Sequence, residues 1–358
     1  MAAGDSLESL LSKRVQEMAI NGEQPPSPYV RRDDADSSIT QQQVPSALCP
    51  LPLIDLGLLS SSPTTPIAEQ NHELEKLRSA LSSWGCFQAI NHGVSSSLLD
   101  EVGEVGRKFF EQPMEEKNRV LKGVEKADGY GTDPAPEEGQ SLNWSDRLYL
   151  TVYPEDSRDY EFWPPNPSSF RDVLEEYTRK MREVTEVVSR GMAKSLNLEE
   201  KCFLNQFGEE ATLQVRFNYY PCCKWPDLVL GLKAHTDGSG YTIILQDDVE
   251  GLQVHHDGKW FNIPTIPHAL LVIMGEQMEI MSNGVFKSPL HRAVINSEKD
   301  RMSIAMFYTP QSNIEIGPED GLVSEEKPRM FKKVKDYVNT YWWGYYKRGI
   351  RAIDAAKV

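Results

Sequence analysis

In the first half of the chain, hydrophobic positions recur every three or four residues, as they do on amphipathic helices. The longest pattern of this kind begins at Phe170 and ends at Met192. Two short apolar runs, at residues 51–56 and 87–90, have the length of strands instead. The pattern predicts a mostly helical first half, with helices over residues 74–84, 98–110 and 169–196.

From about residue 212 onward the hydrophobic pattern shortens to that of strands. Apolar and β-branched runs alternate with turn signals such as Asp257-Gly258 and Asn283-Gly284. Many short strands separated by turns are typical of a sandwich or barrel, a class that includes jelly rolls. The predicted strands cover residues 213–219, 241–246, 252–256, 260–263, 270–274, 291–295 and 302–308. A final aromatic-rich helix is predicted over residues 329–348.

These changes of pattern predict five segments and an α+β fold with a mainly β core. Residues 1–48 are polar, with the sequence Pro-Pro-Ser-Pro at 25–28, so we expect an arm that lies along the body. An N-terminal region, a long helix, a β-rich core and a C-terminal helix follow at residues 49–165, 166–205, 206–320 and 321–358.

Composition narrows the classes of partner. The formal net charge of −15 argues against nucleic acid and against an anionic membrane surface, since both attract positive charge. No apolar run approaches the roughly 20 residues of a membrane span. The five cysteines form no CxxC pair, so neither a disulfide framework nor a thiolate zinc site is predicted. We expect a cytoplasmic monomer that acts on a small molecule.

Two histidines and an aspartate have the spacing of a metal site. His235 and Asp237 are two residues apart before an apolar strand, so on an extended backbone both side chains point to the same face. His291 opens another predicted strand, which could bring in a third ligand. Two imidazoles and one carboxylate on one face are used by non-haem Fe(II) oxygenases. The same donors also suit zinc.

A second His-x-Asp string, at His255-His256-Asp257, is interpreted differently. Asp257 and Gly258 form a hairpin turn signal between two strand-like runs. Because a hairpin tip is exposed to solvent, these histidines are expected at the surface rather than at a metal.

Arg301 and Ser303 form a second candidate site. They share one face of a predicted apolar strand, where a guanidinium is unfavourable unless it meets an anion. Its planar fork fits a carboxylate bidentately, and a neighbouring hydroxyl can add a contact. Alternatively, Arg301 pairs with a nearby Asp or Glu at a strand edge. Asn218 and Tyr220 could add amide and hydroxyl donors.

Together these motifs resemble the plant 2-oxoglutarate- and Fe(II)-dependent dioxygenases. The resemblance spans about residues 50–345 and implies a double-stranded β-helix, or jelly roll, flanked by helices. It is greatest to the branch that contains alkaloid O-demethylases and senescence-related proteins, rather than to the gibberellin or flavonoid enzymes. The matching motifs are Trp84-Gly85-Cys86-Phe87, Asn91-His92-Gly93-Val94, Asn218-Tyr219-Tyr220-Pro221, His235-Thr236-Asp237, Ser282-Asn283-Gly284, His291-Arg292 and Arg301-Met302-Ser303.

The resemblance implies a role for each candidate residue. His235, Asp237 and His291 match the family's iron ligands. The implied cofactors are Fe(II), 2-oxoglutarate as co-substrate and O₂, with ascorbate as the reductant. The residues that match the 2-oxoglutarate site are Arg301 and Ser303, at its distal carboxylate, together with Tyr220 and the nearby Asn218.

The predicted function is the oxidation of a hydrophobic plant specialised metabolite or hormone, by hydroxylation, O-demethylation or desaturation. One alternative is an iron oxidase of the same fold that does not use 2-oxoglutarate. Another is a non-catalytic ligand-binding protein on the same scaffold. Aromatic and apolar side chains could contact the substrate, with plain core packing as the alternative for each; these are Tyr130, Trp144, Leu148, Tyr149, Tyr241, Phe307 and Trp342.

Overall fold

A computed structural model shows helices packed around two β-sheets. It describes residues 13–31, 51–60, 66–123, 127–133, 137 and 140–358. The helices are α1 (Val15–Asn21), α2 (Leu56–Leu59), α3 (Ile67–Ser83), α4 (Ser96–Glu111), α5 (Met114–Asn118), α6 (Phe170–Ser195), α7 (Cys202–Phe207), α8 (Glu276–Met281) and α9 (Trp343–Lys347). The strands are β1 (Leu53–Asp55), β2 (Cys86–Ile90), β3 (Gly129–Gly131), β4 (Asp146–Tyr153), β5 (Thr212–Tyr220), β6 (Leu232–His235), β7 (Tyr241–Gln246), β8 (Leu252–His256), β9 (Lys259–Asn262), β10 (Leu270–Met274), β11 (His291–Ala293), β12 (Arg301–Thr309), β13 (Glu315–Ile316) and β14 (Val334–Lys335).

Two sheets form the β core. Eight strands make a large sheet in the order β1-β2-β10-β7-β12-β5-β4-β3, and four make a smaller sheet in the order β6-β11-β8-β9. Hydrophobic side chains of both sheets pack together, among them Ile244 and Ala305 of the large sheet and Leu252 and Val254 of the smaller one. The predicted α+β fold with a jelly-roll core is confirmed.

The side chains of the central strands alternate between two environments, as the strand period of two requires. On β12, Met302, Ile304 and Met306 belong to the main hydrophobic core, which the large sheet shares with the helices. Arg301 and Ser303 lie on the opposite face and line a cavity. The 26-residue helix α6 contributes its buried side chains to that main core, so the long predicted helix lies against the large sheet.

The end of the chain differs from the prediction. The helix predicted over residues 329–348 is wrong in its first part, because Val334 pairs with Ile316 between β14 and β13, and Phe331 bridges to Lys357. Helical structure begins with a π-helical turn at Val338–Trp342, and α9 follows it. Tertiary pairing thus overrides a helix-like spacing of aromatic residues.

The predicted arm is described only at residues 13–31, and residues 1–12 and 32–48 lie outside the described part of the chain. Val15 of α1 and Tyr29 are buried in a cluster with Trp144, and the Tyr29 ring meets the Trp144 ring edge to face at 5.4 Å. The described part of the arm therefore packs against the body. The boundaries of the five predicted segments stay a prediction.

Among the described residues, no helix combines the length and the apolar character that crossing a lipid bilayer would require.

Tyr241 lies on the helix side of β7, away from the face that lines the cavity. Its hydroxyl donates a hydrogen bond of 2.8 Å to the carbonyl of Thr185 and lies 2.9 Å from the hydroxyl of Ser189, both on α6. Its side chain is fully buried in the main core. The side chain of Tyr241 thus ties the large sheet to α6 and does not line the cavity, a position that matches the alternative of plain core packing.

Replacing Tyr241 with Phe should lower the free energy of unfolding by about 1–3 kcal/mol, because two buried polar groups lose a partner. Urea denaturation measures this change. Tyr177→Phe on α6 is the matched control, since the Tyr177 hydroxyl is buried and has no hydrogen-bond partner among the described residues. Its removal should leave stability unchanged or raise it. Equal losses in the two variants would contradict this account.

Candidate active site

Three potential metal ligands come together where β6 and β11 pair. His235 ends β6, His291 begins β11, and the two are register partners across these antiparallel strands. Asp237 Oδ1 lies 3.4 Å from His235 Nε2 and 3.6 Å from His291 Nε2. Within the described residues, this is the one group of three His, Cys, Asp or Glu side chains close enough to share an ion. The structure thus brings together the three residues that the sequence singles out.

Backbone carbonyls orient both imidazoles. His235 Nδ1 lies 2.8 Å from the carbonyl of Lys233, and His291 Nδ1 lies 3.2 Å from the carbonyl of Pro289. A carbonyl can only accept, so each Nδ1 is the protonated nitrogen that donates. Each Nε2 therefore keeps a free lone pair, and both are directed toward the Asp237 carboxylate.

The protonation states of the buried ligands also suit a metal. Burial, together with the neighbouring His235, lowers the pKa of His291 to about 4, so its imidazole is neutral at neutral pH. Burial by itself raises the pKa of Asp237, but the adjacent imidazoles and the hydroxyl of Thr242 lower it to about 2. The Thr242 hydroxyl donates a hydrogen bond of 2.6 Å to Asp237 Oδ2. Asp237 is thus a carboxylate with its second oxygen already held.

The donor set fits a first-row divalent metal. Imidazole nitrogen and carboxylate oxygen suit Fe(II) and zinc, whereas magnesium and calcium prefer oxygen alone. Separations of 3.4 and 3.6 Å between ligand atoms allow one ion to bind all three through bonds of about 2.0–2.2 Å. His235, Asp237 and His291 could therefore hold Fe(II).

The second His-x-Asp string lies on the hairpin formed by β8 and β9. Asp257 and Gly258 both have positive φ, 46° and 76°, as a tight type I′ turn requires. The ring of His256 stacks on Trp84 with centres 4.1 Å apart. The interpretation of this string as a hairpin turn is confirmed, and these histidines belong to no metal-ligand group among the described residues.

Arg301 is buried beside the three ligands without a carboxylate partner. Its side chain donates to the carbonyl of Val249 at 3.1 Å and to Gln246 Oε1 at 2.9 Å, and both acceptors are neutral. In the described part of the chain it forms no ion pair, so the alternative of a structural pair with Asp or Glu is not what the structure shows. A buried guanidinium that borders a cavity and forms no ion pair could bind an anion there.

Strand register gathers the other predicted co-substrate residues around Arg301. On β5, Tyr220 is the register partner of Arg301, and Asn218 is the partner of Ser303. The guanidinium carbon of Arg301 lies 5.1 Å from the centre of the Tyr220 ring, and the Asn218 amide donates to the Ser303 hydroxyl at 3.4 Å. These four residues form one polar surface on the inner face of the large sheet.

A cavity of about 80 Å³ joins this surface to the three ligands. Part of its lining is an aromatic wall formed by Phe307 of β12 and by Trp342, Trp343 and Tyr346 near the end of the chain. Trp342 Nε1 also donates to the carbonyl of Thr236 at 2.9 Å. The wall is therefore attached to the loop that carries Asp237.

The structure brings only part of the predicted substrate set to this cavity. Phe307 and Trp342 line it, and the ring of Tyr149 lies 6.2 Å from that of Phe307 without lining the cavity. The side chains of Leu148 and Tyr130 are fully buried in the main core.

Trp144 is likewise remote from the cavity. It packs on the described part of the arm and donates to the carbonyl of Pro221 at 3.2 Å. For Tyr130, Trp144 and Leu148, as for Tyr241, the alternative of plain core packing describes what the structure shows.

Two charged residues of the cavity are missing from the sequence prediction. Arg216 of β5 and Asp133 both line the cavity and form an ion pair with N–O distances of 2.8 and 3.0 Å. Arg216 could have been found from the strand alternation, since it precedes Asn218 and Tyr220 by two and four residues. Asp133 carried no comparable signal, because it lies outside any strand.

Comparison with known proteins gives consistent matches over most of the chain. Residues 211–310 match the family model of the 2OG-Fe(II) oxygenase superfamily, and residues 51–166 match the N-terminal model of the non-haem dioxygenase in morphine synthesis. A flavonol synthase/flavanone 3-hydroxylase of Petunia hybrida is 38% identical over 319 residues, which cover 87% of this chain and 88% of the petunia protein. Protein SRG1 of Arabidopsis thaliana is 37% identical over 316 residues, which cover 87% and 86% of the two chains.

A solved structure, JOX2 in complex with 2OG, Fe and JA, superposes with a TM-score of 0.84 at 33% identity, covering 97% of this chain and 98% of JOX2. The similarity to SRG1 agrees with the branch that the motifs indicate. However, identities of 38% and 37% do not separate that branch from the flavonoid enzymes.

Replacing Thr242 with Val should weaken binding of a divalent metal by about tenfold to a hundredfold, because Asp237 loses the hydrogen bond that orients it. Anaerobic calorimetric titration with Fe(II) measures the affinity. Thr178→Val, a buried threonine on α6 whose hydroxyl bonds the carbonyl of Leu174, is the matched control and should leave metal affinity unchanged. Wild-type affinity in Thr242→Val would show that this hydroxyl does not support the metal site.

Proposed function

The chain belongs to the 2OG-Fe(II) oxygenase superfamily, and from this premise we propose that it oxidises a hydrophobic plant specialised metabolite or hormone in the cavity beside His235, Asp237 and His291. The protein is a 2-oxoglutarate-dependent dioxygenase, an oxidoreductase whose cofactors are Fe(II) and 2-oxoglutarate. O₂ is the oxidant, and ascorbate is the reductant typical of the family.

The observation that carries the proposal is that one cavity joins two unsatisfied sites. Two Nε2 lone pairs and the Asp237 carboxylate are directed at a common point. Arg301 borders the same cavity and forms no ion pair among the described residues. A dicarboxylic keto acid can satisfy both sites together, with its keto-acid end at the metal and its distal carboxylate at Arg301.

When bound, Fe(II) and 2-oxoglutarate supply the activation of O₂ that oxidises a C–H bond. The side chains of the protein position the metal and the co-substrate and shield the site from water. His235, Asp237 and His291 hold the metal, and Arg301 with Ser303 fixes the distal carboxylate, with Tyr220 and Asn218 at its side. No acid or base on the protein is needed for this reaction. The aromatic wall excludes water from the site.

The surroundings of Arg301 support the use of 2-oxoglutarate over the alternative of an oxidase that does without it. Such an oxidase has no need for a buried arginine that lacks a counter-ion. The alternative of a non-catalytic binding protein on the same scaffold does not explain why both imidazoles are held with Nε2 free. Both features favour turnover with a keto-acid co-substrate.

Relatives and the aromatic wall support the proposed class of substrate. The relatives include flavonol synthases and a jasmonate-induced oxygenase of Arabidopsis thaliana, and a rice dioxygenase for auxin oxidation has a similar structure. Small-molecule sites usually measure about 300–1,000 Å³, far more than the 80 Å³ seen here. We therefore propose that side chains of the aromatic wall rearrange when a substrate binds. The outcome is hydroxylation, O-demethylation or desaturation.

We further propose that the protein acts in the cytoplasm as a monomer, without nucleic acid. The net charge of −15 supports the absence of nucleic acid, because phosphate backbones attract positive charge. In the described part of the chain, Cys86, Cys202, Cys222 and Cys223 form no disulfide, which suits a reducing compartment.

The proposed function is tested by incubating the protein with plant extract, Fe(II), ascorbate and 2-oxoglutarate. We expect succinate release together with loss of one metabolite and appearance of an oxidised product. His291→Ala should abolish both while the circular dichroism spectrum is kept, because the metal loses a ligand. His256→Ala, on the β8–β9 hairpin, is the matched control and should keep full activity. Succinate release by His291→Ala at the wild-type rate would remove His291 from the ligand set.

Replacing Arg301 with Ala should raise the KM for 2-oxoglutarate by about tenfold to a hundredfold, because charge-assisted hydrogen bonds to the distal carboxylate are lost. Steady-state kinetics with each reactant varied in turn measure the effect. Arg179→Ala, an exposed arginine on α6, is the control. A change confined to the KM of the organic substrate would place Arg301 outside the co-substrate site.

A further inference from the structure

Two arginines line the cavity, and they differ in what they bind. Arg301 donates only to neutral acceptors. Arg216 lies on the same face of the large sheet, closer to the aromatic wall residue Tyr346, and its guanidinium is already paired with a carboxylate. The cavity therefore offers a free cation at one position and a neutralised cation at the other.

All three guanidinium nitrogens of Arg216 are engaged. Nη1 donates to Asp133 Oδ1 at 2.8 Å and Nη2 to Asp133 Oδ2 at 3.0 Å, which is the bidentate geometry of an arginine–carboxylate pair. Nε donates to the side-chain oxygen of Asn218. A carboxylate brought by a ligand can bind Arg216 in the same way only if it displaces Asp133.

Asp133 is itself held in place by further donors. The side-chain amide of Asn143 donates to Asp133 Oδ2 at 2.7 Å, and Arg147 Nε lies 3.6 Å from Oδ1. Burial by itself raises the pKa of Asp133, but Arg216 and Arg147 lower it well below its usual range. Asp133 is thus ionised and fixed, and it competes with any anion for Arg216.

Two more cations lie near the pair, behind the cavity lining. Arg147 Nη1 donates to the carbonyls of Ala127 and Gly129 at 2.8 and 3.1 Å. Lys233 Nζ donates to the carbonyl of Tyr346 at 3.2 Å. Since neither side chain lines the cavity, neither offers a substrate carboxylate a direct contact.

Charge balance on the cavity surface favours an uncharged substrate. A divalent iron, the Asp237 carboxylate, the Arg301 guanidinium and a 2-oxoglutarate dianion sum to zero. The Asp133–Arg216 pair also sums to zero. A carboxylic acid bound beside Phe307 and Trp342 would add a buried negative charge with no free partner on the lining, which is strongly unfavourable.

We propose that Asp133 is a specificity-determining residue that closes Arg216 to carboxylates, so that this enzyme acts on a neutral ring compound, such as a phenol, ether or ester, rather than on a carboxylic acid. The inference rests on the proposed function, since it assumes that substrate binds in the cavity beside the metal. By this inference, the preference of the enzyme for neutral over acidic substrates depends on Asp133, a single residue outside the metal and co-substrate sites.

The test compares matched hydrophobic acids and methyl esters: naphthalene-1-acetic, cinnamic and indole-3-acetic acids with their esters. Binding is measured by calorimetry on protein loaded with Mn(II) and 2-oxoglutarate, and turnover by succinate release with Fe(II). Wild-type protein should bind esters more tightly than acids. Asp133→Asn keeps the size of the side chain but removes its charge, and should shift the acid-to-ester affinity ratio at least about tenfold toward the acids.

Two further variants sharpen the test. Asp128→Asn is the matched control, because Asp128 bonds Thr151 and does not line the cavity, and its affinity ratio should stay at the wild-type value. The double variant Asp133→Asn/Arg216→Gln should lose the gained acid binding, since the cation that receives the carboxylate is gone.

Three results would overturn the inference: acids that bind the wild type as tightly as their esters, a ratio unchanged in Asp133→Asn, or no binding of any ester at millimolar concentration. The first and third results are measured on wild-type protein alone, so the inference can be refuted even if a variant misfolds. Failure of the metal-loaded wild type to bind 2-oxoglutarate, measured beforehand in the same calorimeter, would instead refute the proposed function.

Discussion

The antiparallel pairing of β6 with β11 is the constraint on which the candidate active site depends. It places His235 and His291 side by side, although 56 positions separate them in the chain. Because successive strand residues face opposite ways, a slip of one residue would turn one imidazole away from the other. The same rule on β12 and β5 directs Arg301 and Tyr220 into the cavity. The two candidate ligands His235 and His291 and the candidate co-substrate residues Arg301 and Tyr220 are thus positioned by register in two different sheets.

The loop between β6 and β7 needs additional support, because it carries Asp237 without strand pairing of its own. The backbone N–H of Glu276, at the start of α8, donates to the carbonyl of Asp237 at 2.8 Å. The buried Glu276 carboxylate accepts from the hydroxyls of Thr236 and Tyr337, both at 2.7 Å. A Cβ at Gly275 would lie 2.0 Å from the carbonyl oxygen of Ser239, so only glycine permits this close approach. Helix α8 and the C-terminal segment together fix the aspartate.

Sequence reasoning pointed to the candidate metal site because its signal is local. The His235-x-Asp237 spacing gives two of the three ligands on one extended stretch, and His291 follows from a recognisable motif. Sequence reasoning was less successful in identifying the side chains that line the cavity, because the direction of these side chains depends on strand register. Leu148 lies on β4, whose alternation of Leu148, Leu150 and Val152 with polar residues was available in the sequence but does not say which face meets the cavity.

The Asp133–Arg216 pair was beyond the reach of sequence patterns. The two residues are 83 positions apart, and no period links a loop residue to a strand residue. Of the pair, only Arg216 could have been placed, through its alternation with Asn218 and Tyr220 on β5. Long-range ion pairs of this kind are decided by tertiary packing, which one sequence does not display.

The aromatic wall connects the cavity to the loop between β6 and β7, which carries Asp237. Trp342 lines the cavity, and its indole N–H donates to the carbonyl of Thr236, which lies between His235 and Asp237. A Cβ at Gly238 would lie 2.4 Å from the Trp342 ring, so the loop and the indole are in direct contact. Any rearrangement of Trp342 that enlarges the cavity must therefore break a hydrogen bond to the ligand loop or move the loop with it. The shape of the cavity and the position of the Asp237 loop are thus coupled through this one side chain.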